Sequence, residues 1–316
     1  MIDNDALKYF YIPKGYNSFR KIVTYGNNTS GLKLKQNHKM MNDILIKNIS
    51  FSKFTKAYVK ESSIIKNAKC HLYNNTFIQI DIKNFFQSIN HHKLLNILFF
   101  EINKNKHYFI PKEDCLKFLN TCYCSSKGLP IGLVISPTLA NIYMKSFDNI
   151  LYSKLKEIGL ENVIYTRYAD DIVISYKNKL DKKDIYKIKE IVEKQLKFLG
   201  LKINEKKFRY VSLYTSNHVK ITGINICKVK MNENDNYRYL TVGRNKRELI
   251  YKLALNLLEC DEKDSFYQHK LKKLKGYYAY VYSVEGDKIE LLCPPLFKEK
   301  IKLYGFENIK VLIESL

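Results

Sequence analysis

The sequence predicts an α+β fold built around a small sheet with acidic residues at one end. Residues 77–82 alternate between apolar and polar side chains, which is typical of a half-buried strand and places Asp81 on its polar face. Residues 163–168 and 171–176 are two β-rich runs separated by a short turn, which predicts a hairpin. Helical patterns lie between and after these runs.

The helices and remaining strands follow from local signals. Ser136 is predicted as the N-cap of a helix to about Lys156, because Pro137 suits a first turn. Asp181 is predicted to cap a helix that Gly200 ends. The other predicted elements are strands at 19–25, 201–204 and 220–227, a helix at 91–101 and a mixed, mainly helical stretch at 32–58.

From residue 77 onward the order is strand, helix, hairpin, helix, strand. This is the βαββαβ-like order of a polymerase palm. Residues from about 240 on are predicted to be mostly helical and to form a separate module. Within this module, residues 269–282 combine lysines with four tyrosines and suit contacts with backbone phosphates; a solvated lysine face is the alternative.

The charge of the chain favours a polyanionic partner. Among 316 residues, 54 are Lys or Arg and 31 are Asp or Glu, so the formal net charge is 54 − 31 = +23. No apolar run reaches the ~18 residues that span a bilayer, and residues 1–10 carry no export signal. The seven cysteines, an odd number, suit reduced thiols in a cytoplasm. We expect a nucleic-acid partner, no membrane and a cytoplasmic location.

Three carboxylates form the candidate catalytic set. Asp170 and Asp171 are adjacent at the hairpin turn, and Asp81 lies on a strand able to pair beside that hairpin. Three carboxylates that converge repel one another unless cations neutralise them, and Mg²⁺ prefers such oxygen ligands. A bare Asp-Asp pair is more often a surface turn, but the third aspartate favours a metal site.

Six stretches then resemble the reverse transcriptase family, and two of them its bacterial retron members. They occur in the family's order. The stretches are Asn67 to His71, Ile80 to Ile89, Gly128 to Asn141, Tyr168 to Asp171, Gly200 to Lys206 and Ile221 to Gly223, of which the first and last resemble retron elements.

The resemblance implies roles for the carboxylate region. Asp81, Asp170 and Asp171 are implied as catalytic ligands of two Mg²⁺ ions, with Mn²⁺ as an alternative, and the Ile82 carbonyl assists one ion.

It also implies a nucleotide-binding set and an RNA-binding set. Phe86 matches a bulky gate against a 2′-hydroxyl, Arg20 a triphosphate-binding arginine, and Lys206 a lysine near the γ-phosphate. Core packing, a solvated charge and a groove-lining lysine are the respective alternatives. The implied RNA-binding residues are Asn67, His71, Thr222 and Gly223, with a structural histidine as the alternative for His71.

The chain departs from the family pattern at three places. Ile131 stands where the family usually has a glutamine that touches the nucleotide, which puts fine nucleotide handling in doubt. Leu133 and Val134 are bulkier than usual, and the proline expected after the first strand is absent.

The resemblance implies an RNA-directed DNA polymerase with the α+β right-hand fold, in which residues 1–240 form the fingers and palm and residues 241–316 form a helical thumb that binds RNA and DNA. The enzyme would use dNTPs to reverse transcribe its cognate structured non-coding RNA into RNA-linked multicopy single-stranded DNA, with a separate effector protein and a role in antiphage defence. The alternatives are another bacterial reverse transcriptase of intron type, or a catalytically inactive RNA-binding protein on a polymerase fold.

Overall fold

The structure is a computed structural model that describes residues 4–15, 18–104, 109–230, 236–259 and 266–316. The chain divides into two compact units. Unit 1 comprises Met1–Ser63 and Asn74–Ser212, and unit 2 comprises Ile64–Tyr73 and Leu213–Leu316. The predicted boundary at residue 240 concerns subdomain roles and stays a prediction. The six described cysteines are free, and Cys260 lies outside the described residues.

The described elements are as follows. The strands are β1 Leu7–Gly15, β2 Ser18–Tyr25, β3 Thr76–Asp81, β4 Ile164–Tyr168, β5 Asp171–Tyr176, β6 Arg209–Ser212, β7 His218–Ile221, β8 Ile224–Lys230 and β9 Asn236–Thr241. The helices are α1 Thr29–Asn48, α2 Ile64–Cys70, α3 Phe85–Ser88, α4 His91–Asn103, α5 Lys112–Asn120, α6 Ser136–Glu157, α7 Lys182–Leu199, α8 Arg244–Leu258, α9 Tyr267–Glu285, α10 Lys288–Leu291, α11 Pro295–Leu303 and α12 Ile309–Ser315.

Unit 1 is organised around a four-stranded antiparallel sheet in the order β4-β5-β3-β6. The predicted strand at 77–82 is its central strand β3, and the predicted hairpin is β4–β5. Phe77, Ile78 and Ile80 are buried, as expected for a strand with neighbours on both edges. The α+β prediction is confirmed.

The predicted strand at 201–204 is wrong. That stretch forms only an isolated bridge between Ile82 and Ile203, and the last strand of the sheet is β6, further along the chain. The pattern was short and apolar, and such a run does not by itself distinguish a strand from a buried connection.

Two long helices pack in the core of unit 1. In α7 the predicted caps are confirmed: Asp184 N donates to Asp181 Oδ1 at 2.7 Å, and Gly200 ends the helix with φ 76°. In α6 the predicted Ser136 N-cap is wrong, because the cap residue is Ile135 and Ser136 is already helical. The Ser136 hydroxyl is buried and has no hydrogen-bond partner among the described residues.

The N-terminal part of unit 1 is a hairpin followed by a helix. β2 agrees with the predicted strand and pairs antiparallel with β1, which the sequence did not reveal. Helix α1 begins at Thr29, where Gly31 N donates to Asn28 Oδ1, and it ends at Asn48. The helical prediction for 32–58 therefore holds only for its first part.

Unit 2 contains the sheet β7-β8-β9, helix α2 and the C-terminal helices. The single strand predicted at 220–227 is wrong, because β7 and β8 are separated by a tight turn at Thr222-Gly223 with φ values of 45° and 91°. The helical prediction beyond residue 240 is confirmed for the described residues by α8 to α12. None of the described helices is long and apolar enough to cross a membrane.

Candidate active site

The acidic site begins with a strained turn between β4 and β5. We call residues 168–171 the carboxylate turn. Tyr168 and Asp171 are paired across the hairpin, and Ala169 between them has φ 57°, which is rare for a residue with a side chain. The pairing of β4 with β5 therefore continues up to Tyr168 and Asp171, and Asp170 lies in the turn itself.

The third aspartate lies directly beside this turn. Asp81 ends β3 and is the register partner of Asp171 on β5. Ile82 N, one residue further on, donates to Asp170 O at 3.0 Å. The structure therefore brings all three predicted aspartates to one end of the sheet β4-β5-β3-β6.

Asp81 is neutralised by a lysine that the sequence did not single out. Asp81 is 6 % exposed, and its carboxylate accepts from Lys207 Nζ at 2.6 Å and from Asn204 Nδ2 at 2.8 Å. The Asn204 N–H also donates to Asp81 O at 2.8 Å. The sequence signal for Lys207 was a pair of adjacent lysines, and nothing in that pair distinguished Lys207 from Lys206.

The other two carboxyls have raised pKa values. Burial raises the pKa of Asp170, and the Asp81 carboxylate adds to the shift. Burial, followed by repulsion from Asp170 and Asp81, raises the pKa of Asp171 to about 6, although this side chain keeps solvent exposure that screens the repulsion. Lys207 opposes both shifts through its positive charge. The site therefore resists carrying its full negative charge without additional cations.

A cavity of about 430 Å³ opens beside these residues. Asp81, Asp170 and Ile82 line one side of the cavity, which we call the acidic wall. Arg20 and Phe86, two of the predicted nucleotide-binding residues, also line the cavity. Asp171 and Lys206 do not line this cavity. The remaining lining residues are Lys14, Phe19, Lys21, Tyr58, Asn84, Phe85, Gln87, Ile131, Asn204 and Lys207.

The gate position is built by a short helix. Asn84 precedes α3 in the left-handed conformation, and Phe85 is buried in the core while Phe86 is only half-buried at the cavity. The two rings meet edge to face with centroids 5.3 Å apart. The Phe86 carbonyl accepts from Leu129 N at 2.8 Å, which joins this helix to the loop at 128–134.

Ile131 is held against the N-terminal hairpin. Its carbonyl accepts from Val23 N at 2.8 Å, and Gly132 approaches Val23 so closely that an added Cβ would lie 2.3 Å from the Val23 carbonyl oxygen. Ile131 also lines a second cavity of about 140 Å³, together with Lys21 and Gln87. An apolar side chain therefore stands where the two cavities adjoin.

The donor chemistry of the acidic site fits hard divalent cations, because Asp81, Asp170 and Asp171 offer carboxylate oxygens. Within the described ranges, however, no three His, Cys, Asp or Glu side chains are gathered closely enough to hold a metal ion. Asp81 is paired with Lys207 instead. In this structure Lys207 and Asn204 therefore occupy the two carboxylate oxygens of Asp81.

The four predicted RNA-binding residues lie in unit 2. Asn67 Nδ2 donates to Thr222 Oγ1 at 3.3 Å, so helix α2 contacts the Thr222-Gly223 turn. Asn67 and His71 are both fully buried. Asn67 Oδ1 accepts no hydrogen bond from any described residue. The geometry joins Asn67 to Thr222 and places His71 in the buried interior of unit 2.

Comparisons with known proteins agree with this architecture. The family described as reverse transcriptase (RNA-dependent DNA polymerase) matches residues 13–244. The retron Ec73 reverse transcriptase of Escherichia coli is 31% identical over 290 residues, covering 89% of this chain and 82% of the relative. The retron Ec83 reverse transcriptase of the same species is 27% identical over 265 residues, covering 80% of this chain and 74% of the relative.

A solved structure shows the same fold at greater distance. A Candida albicans telomerase, solved with a fragment of telomeric RNA, has a TM-score of 0.51 and 12% identity. It is matched over 88% of this chain and 56% of the telomerase chain, so this chain spans a little over half of that relative. The right-hand polymerase prediction is therefore confirmed at the level of the fold.

The chain belongs to the reverse transcriptase family, whose members are RNA-directed DNA polymerases that use divalent cations. Its similarity over most of its length to several named retron enzymes makes it an RNA-directed DNA polymerase of retron type.

Proposed function

We propose that this protein copies its own cognate non-coding RNA into DNA and that Asp81, Asp170 and Asp171 are its catalytic residues. The observation that carries the proposal is the pairing of Asp81 with Asp171 across β3–β5, beside a cavity that Asp81 and Asp170 line. The two carboxylates on one wall suit metal ions that bind some of the phosphate oxygens of a nucleotide. The cationic side chains elsewhere in the cavity suit its remaining phosphate oxygens.

The cavity residues divide into binding and selecting groups. Arg20 and Lys207 offer charge-assisted donors to a triphosphate. Phe86 is placed to exclude a 2′-hydroxyl and so to favour dNTPs. Lys206, exposed and outside the cavity wall, stays a prediction as a phosphate contact.

We further propose that two Mg²⁺ ions, which Mn²⁺ can replace, occupy the acidic wall with the Ile82 carbonyl as an additional ligand. Such ions would assist deprotonation of the attacking hydroxyl and neutralise the departing pyrophosphate. The side chains of Asp81, Asp170 and Asp171 hold and orient this charge. Lys207, which pairs with Asp81 in this structure, would then be available to bond the phosphates of the nucleotide.

In unit 2, Asn67, His71, Thr222 and Gly223 are proposed to recognise the cognate RNA. Thr222 and Gly223 are half-buried at a turn with positive φ, so these two residues support recognition directly, whereas the fully buried Asn67 would act by holding Thr222. Because His71 is fully buried, it would act by supporting Asn67. The expected product is RNA-linked multicopy single-stranded DNA.

Similarity to retron enzymes also supports a wider proposal. The protein would act in the cytoplasm, and its ribonucleoprotein would work with a separate effector protein in antiphage defence. Affinity purification from cells that express the natural operon tests this association. Recovery of the RNA–DNA product with a second protein supports it, and recovery of the protein with product alone contradicts it.

A primer-extension assay tests the chemistry. The parent protein should incorporate labelled dNTPs on an RNA template when Mg²⁺ is added. Asp170→Asn should lose at least ~10³-fold, as expected when an electrostatic anchor of the transition state is removed. Asp43→Asn, at an exposed position on α1, is the matched control and should retain activity. A parent protein without Mg²⁺-dependent incorporation would refute the polymerase proposal.

Sequencing of the copurifying nucleic acid tests the substrate. A branched RNA–DNA molecule with a structured RNA supports the retron product. Intron RNA would contradict it and point to the intron-type alternative.

A further inference from the structure

A buried arginine lies directly behind the carboxylate turn. Arg167, on β4, is fully buried and forms a forked pair with Asp148 of α6, with Nε–Oδ1 at 2.8 Å and Nη2–Oδ2 at 2.9 Å. Asp148 is also fully buried. Burial alone would lower the pKa of Arg167, but the Asp148 carboxylate raises it, so the guanidinium stays charged.

The remaining donor of this guanidinium reaches the turn itself. Arg167 Nη1 donates to Ala169 O at 3.1 Å. Ala169 is the residue with φ 57° that immediately precedes Asp170. A charge-assisted bond to this carbonyl opposes relaxation of the strained turn. It therefore fixes the peptide group that joins Ala169 to Asp170.

The same arginine also holds a second wall of the cavity. The backbone N–H of Arg167 donates to Phe54 O at 2.9 Å, and the backbone carbonyl of Arg167 accepts from Lys56 N at 2.8 Å. The segment Phe54–Tyr58 therefore runs along β4 at this residue. It ends in Tyr58, which lines the cavity with φ 59°.

Asn141 of α6 links these two groups. Its Oδ1 accepts from Thr55 Oγ1 at 3.1 Å and from Arg167 Nη1 at 3.3 Å, and its Nδ2 donates to Ala57 O at 2.9 Å. Two positive-φ residues on the cavity side, Ala169 and Tyr58, thus depend on one set of side chains anchored in a buried helix.

We propose that Arg167 is a positioning residue for polymerisation, which sets Asp170 and Tyr58 in a fixed geometry by anchoring the carboxylate turn and the Phe54–Tyr58 segment jointly to α6. The inference rests on the proposed catalytic role of the carboxylate turn. Arg167 does not touch the substrate. It acts through Ala169 on one side and through Asn141 and the main chain of residues 54–56 on the other.

Three variants of the full chain separate this role from general stability. Arg167→Lys keeps a positive charge near Asp148. It loses Nη1, the guanidinium nitrogen that donates to Ala169 O and to Asn141 Oδ1. Asn141→Ala keeps the Arg167–Asp148 pair and removes the amide that joins Arg167 Nη1 to Thr55 and Ala57. Tyr165→Phe is the control, because it removes a hydroxyl that donates to Asp148 Oδ1 at 2.6 Å beside Arg167 and keeps the whole guanidinium and the aromatic ring in the same buried cluster.

Amide hydrogen exchange gives a readout independent of activity. In Arg167→Lys, peptides that cover 54–58 and 168–171 should both exchange faster than in the parent, by about tenfold or more. In Tyr165→Phe, both segments should exchange as in the parent although the unfolding temperature is lower. Faster exchange in only one of the two segments of Arg167→Lys would overturn joint anchoring.

Steady-state kinetics on a generic RNA template, well below the unfolding temperatures, give the second readout. Arg167→Lys should lower kcat by about 100-fold with a smaller change in KM for the dNTP, since misplacement of reacting groups costs this order of rate. Tyr165→Phe should keep kcat within about threefold of the parent. An equal loss in both variants, or parent-like kcat in a folded Arg167→Lys, would overturn the proposal.

Asn141→Ala keeps the test decisive if Arg167→Lys does not fold. It should raise exchange in 54–58, and parent-like exchange there would contradict the coupling. An inactive parent protein would refute the role of the carboxylate turn, while the exchange comparison would still decide whether Arg167 anchors both segments.

Discussion

Lys207 and Asp81 form the ion pair at the centre of the acidic site, with Nζ 2.6 Å from Oδ2. The lysine side chain is 55 % exposed, whereas the carboxylate is almost entirely enclosed. The pair therefore joins an exposed cation to an enclosed anion. It holds the positive charge beside the two other aspartates, where the charge partly offsets the rise in the pKa of each.

The two adjacent lysines are expected to differ in function. Lys207→Ala should lower dNTP incorporation by roughly 10- to 100-fold, because a charge-assisted bond to phosphate contributes about 1.5–3 kcal/mol. Lys206→Ala removes the same charge from an exposed position outside the cavity and should change incorporation by less than about threefold. Single-turnover incorporation at several dNTP concentrations measures both. A larger effect at Lys206 would contradict the assignment of Lys207.

The phenylalanine pair at α3 gives a test of sugar selection. Phe86→Ala should raise ribonucleotide incorporation relative to deoxynucleotide by roughly 10- to 100-fold, because relief of a steric clash is worth about 1–3 kcal/mol. Phe85→Leu, in the core beside it, should lower the unfolding temperature and leave the ratio unchanged. The ratio is measured by competition between rCTP and dCTP. An unchanged ratio in Phe86→Ala would assign Phe86 to packing.

The turn at Thr222 gives a test of RNA recognition. A β-branched residue at φ 45° carries strain of about 1–3 kcal/mol, which glycine relieves. Thr222→Gly also loses the hydroxyl that accepts a hydrogen bond from Asn67. The relieved backbone strain and the lost hydrogen bond nearly cancel, so the unfolding temperature should change little. Rebinding of the RNA recovered from the parent should weaken, while extension on a generic template should not. Parent-like rebinding would restrict the Asn67–Thr222 bond to a structural role.

A buried histidine predicts a pH-dependent stability. Burial lowers the pKa of His38, whose Nε2 donates to Thr121 O at 3.0 Å and whose Nδ1 accepts from Tyr25 Oη at 2.8 Å. The unfolded chain then binds this proton more readily than the native chain. His38 should therefore contribute a fall in the free energy of unfolding as the pH drops below about 6.5, the ordinary value for histidine, whereas the raised pKa of Asp171 contributes in the opposite direction.

Urea unfolding between pH 7 and pH 5 measures this effect, where the pH range is set by the ordinary histidine pKa of about 6.5. His38→Gln should show a shallower loss of stability than the parent. Some slope should remain, because burial also lowers the pKa of His91. His218→Gln, at an exposed site, controls for the loss of an imidazole. A parent-like slope in His38→Gln would contradict the prediction.

Local patterns were sufficient for the parts of the fold that depend on local physics. β3 was recognised from its alternation, and α7 from the cap at Asp181 and the glycine at its end. The three aspartates were found because a strand and a hairpin carry them. Their pairing became visible only in the register that places Asp81 opposite Asp171.

The missed features depend on contacts distant in sequence. Asn204 and Lys207 reach Asp81 from a single 3₁₀ turn, Glu205–Lys207, and its cap, which is too short to show a periodicity in the sequence. Arg167 is followed by the conspicuous carboxylate turn, yet its role rests on Asp148 and Asn141 of another element. Composition and spacing contain no information about such partners.

The interrupted path of unit 2 has a consequence for synthesis. Helix α2 belongs to this unit, but the strands that complete it follow Leu213. At about 5–20 residues per second, the ribosome needs on the order of 10 s to add the intervening chain. During that interval Asn67, Ala68 and His71, all fully enclosed in the finished protein, have no sheet to cover them. Folding of unit 2 is thus completed late, when most of unit 1 has already left the ribosome.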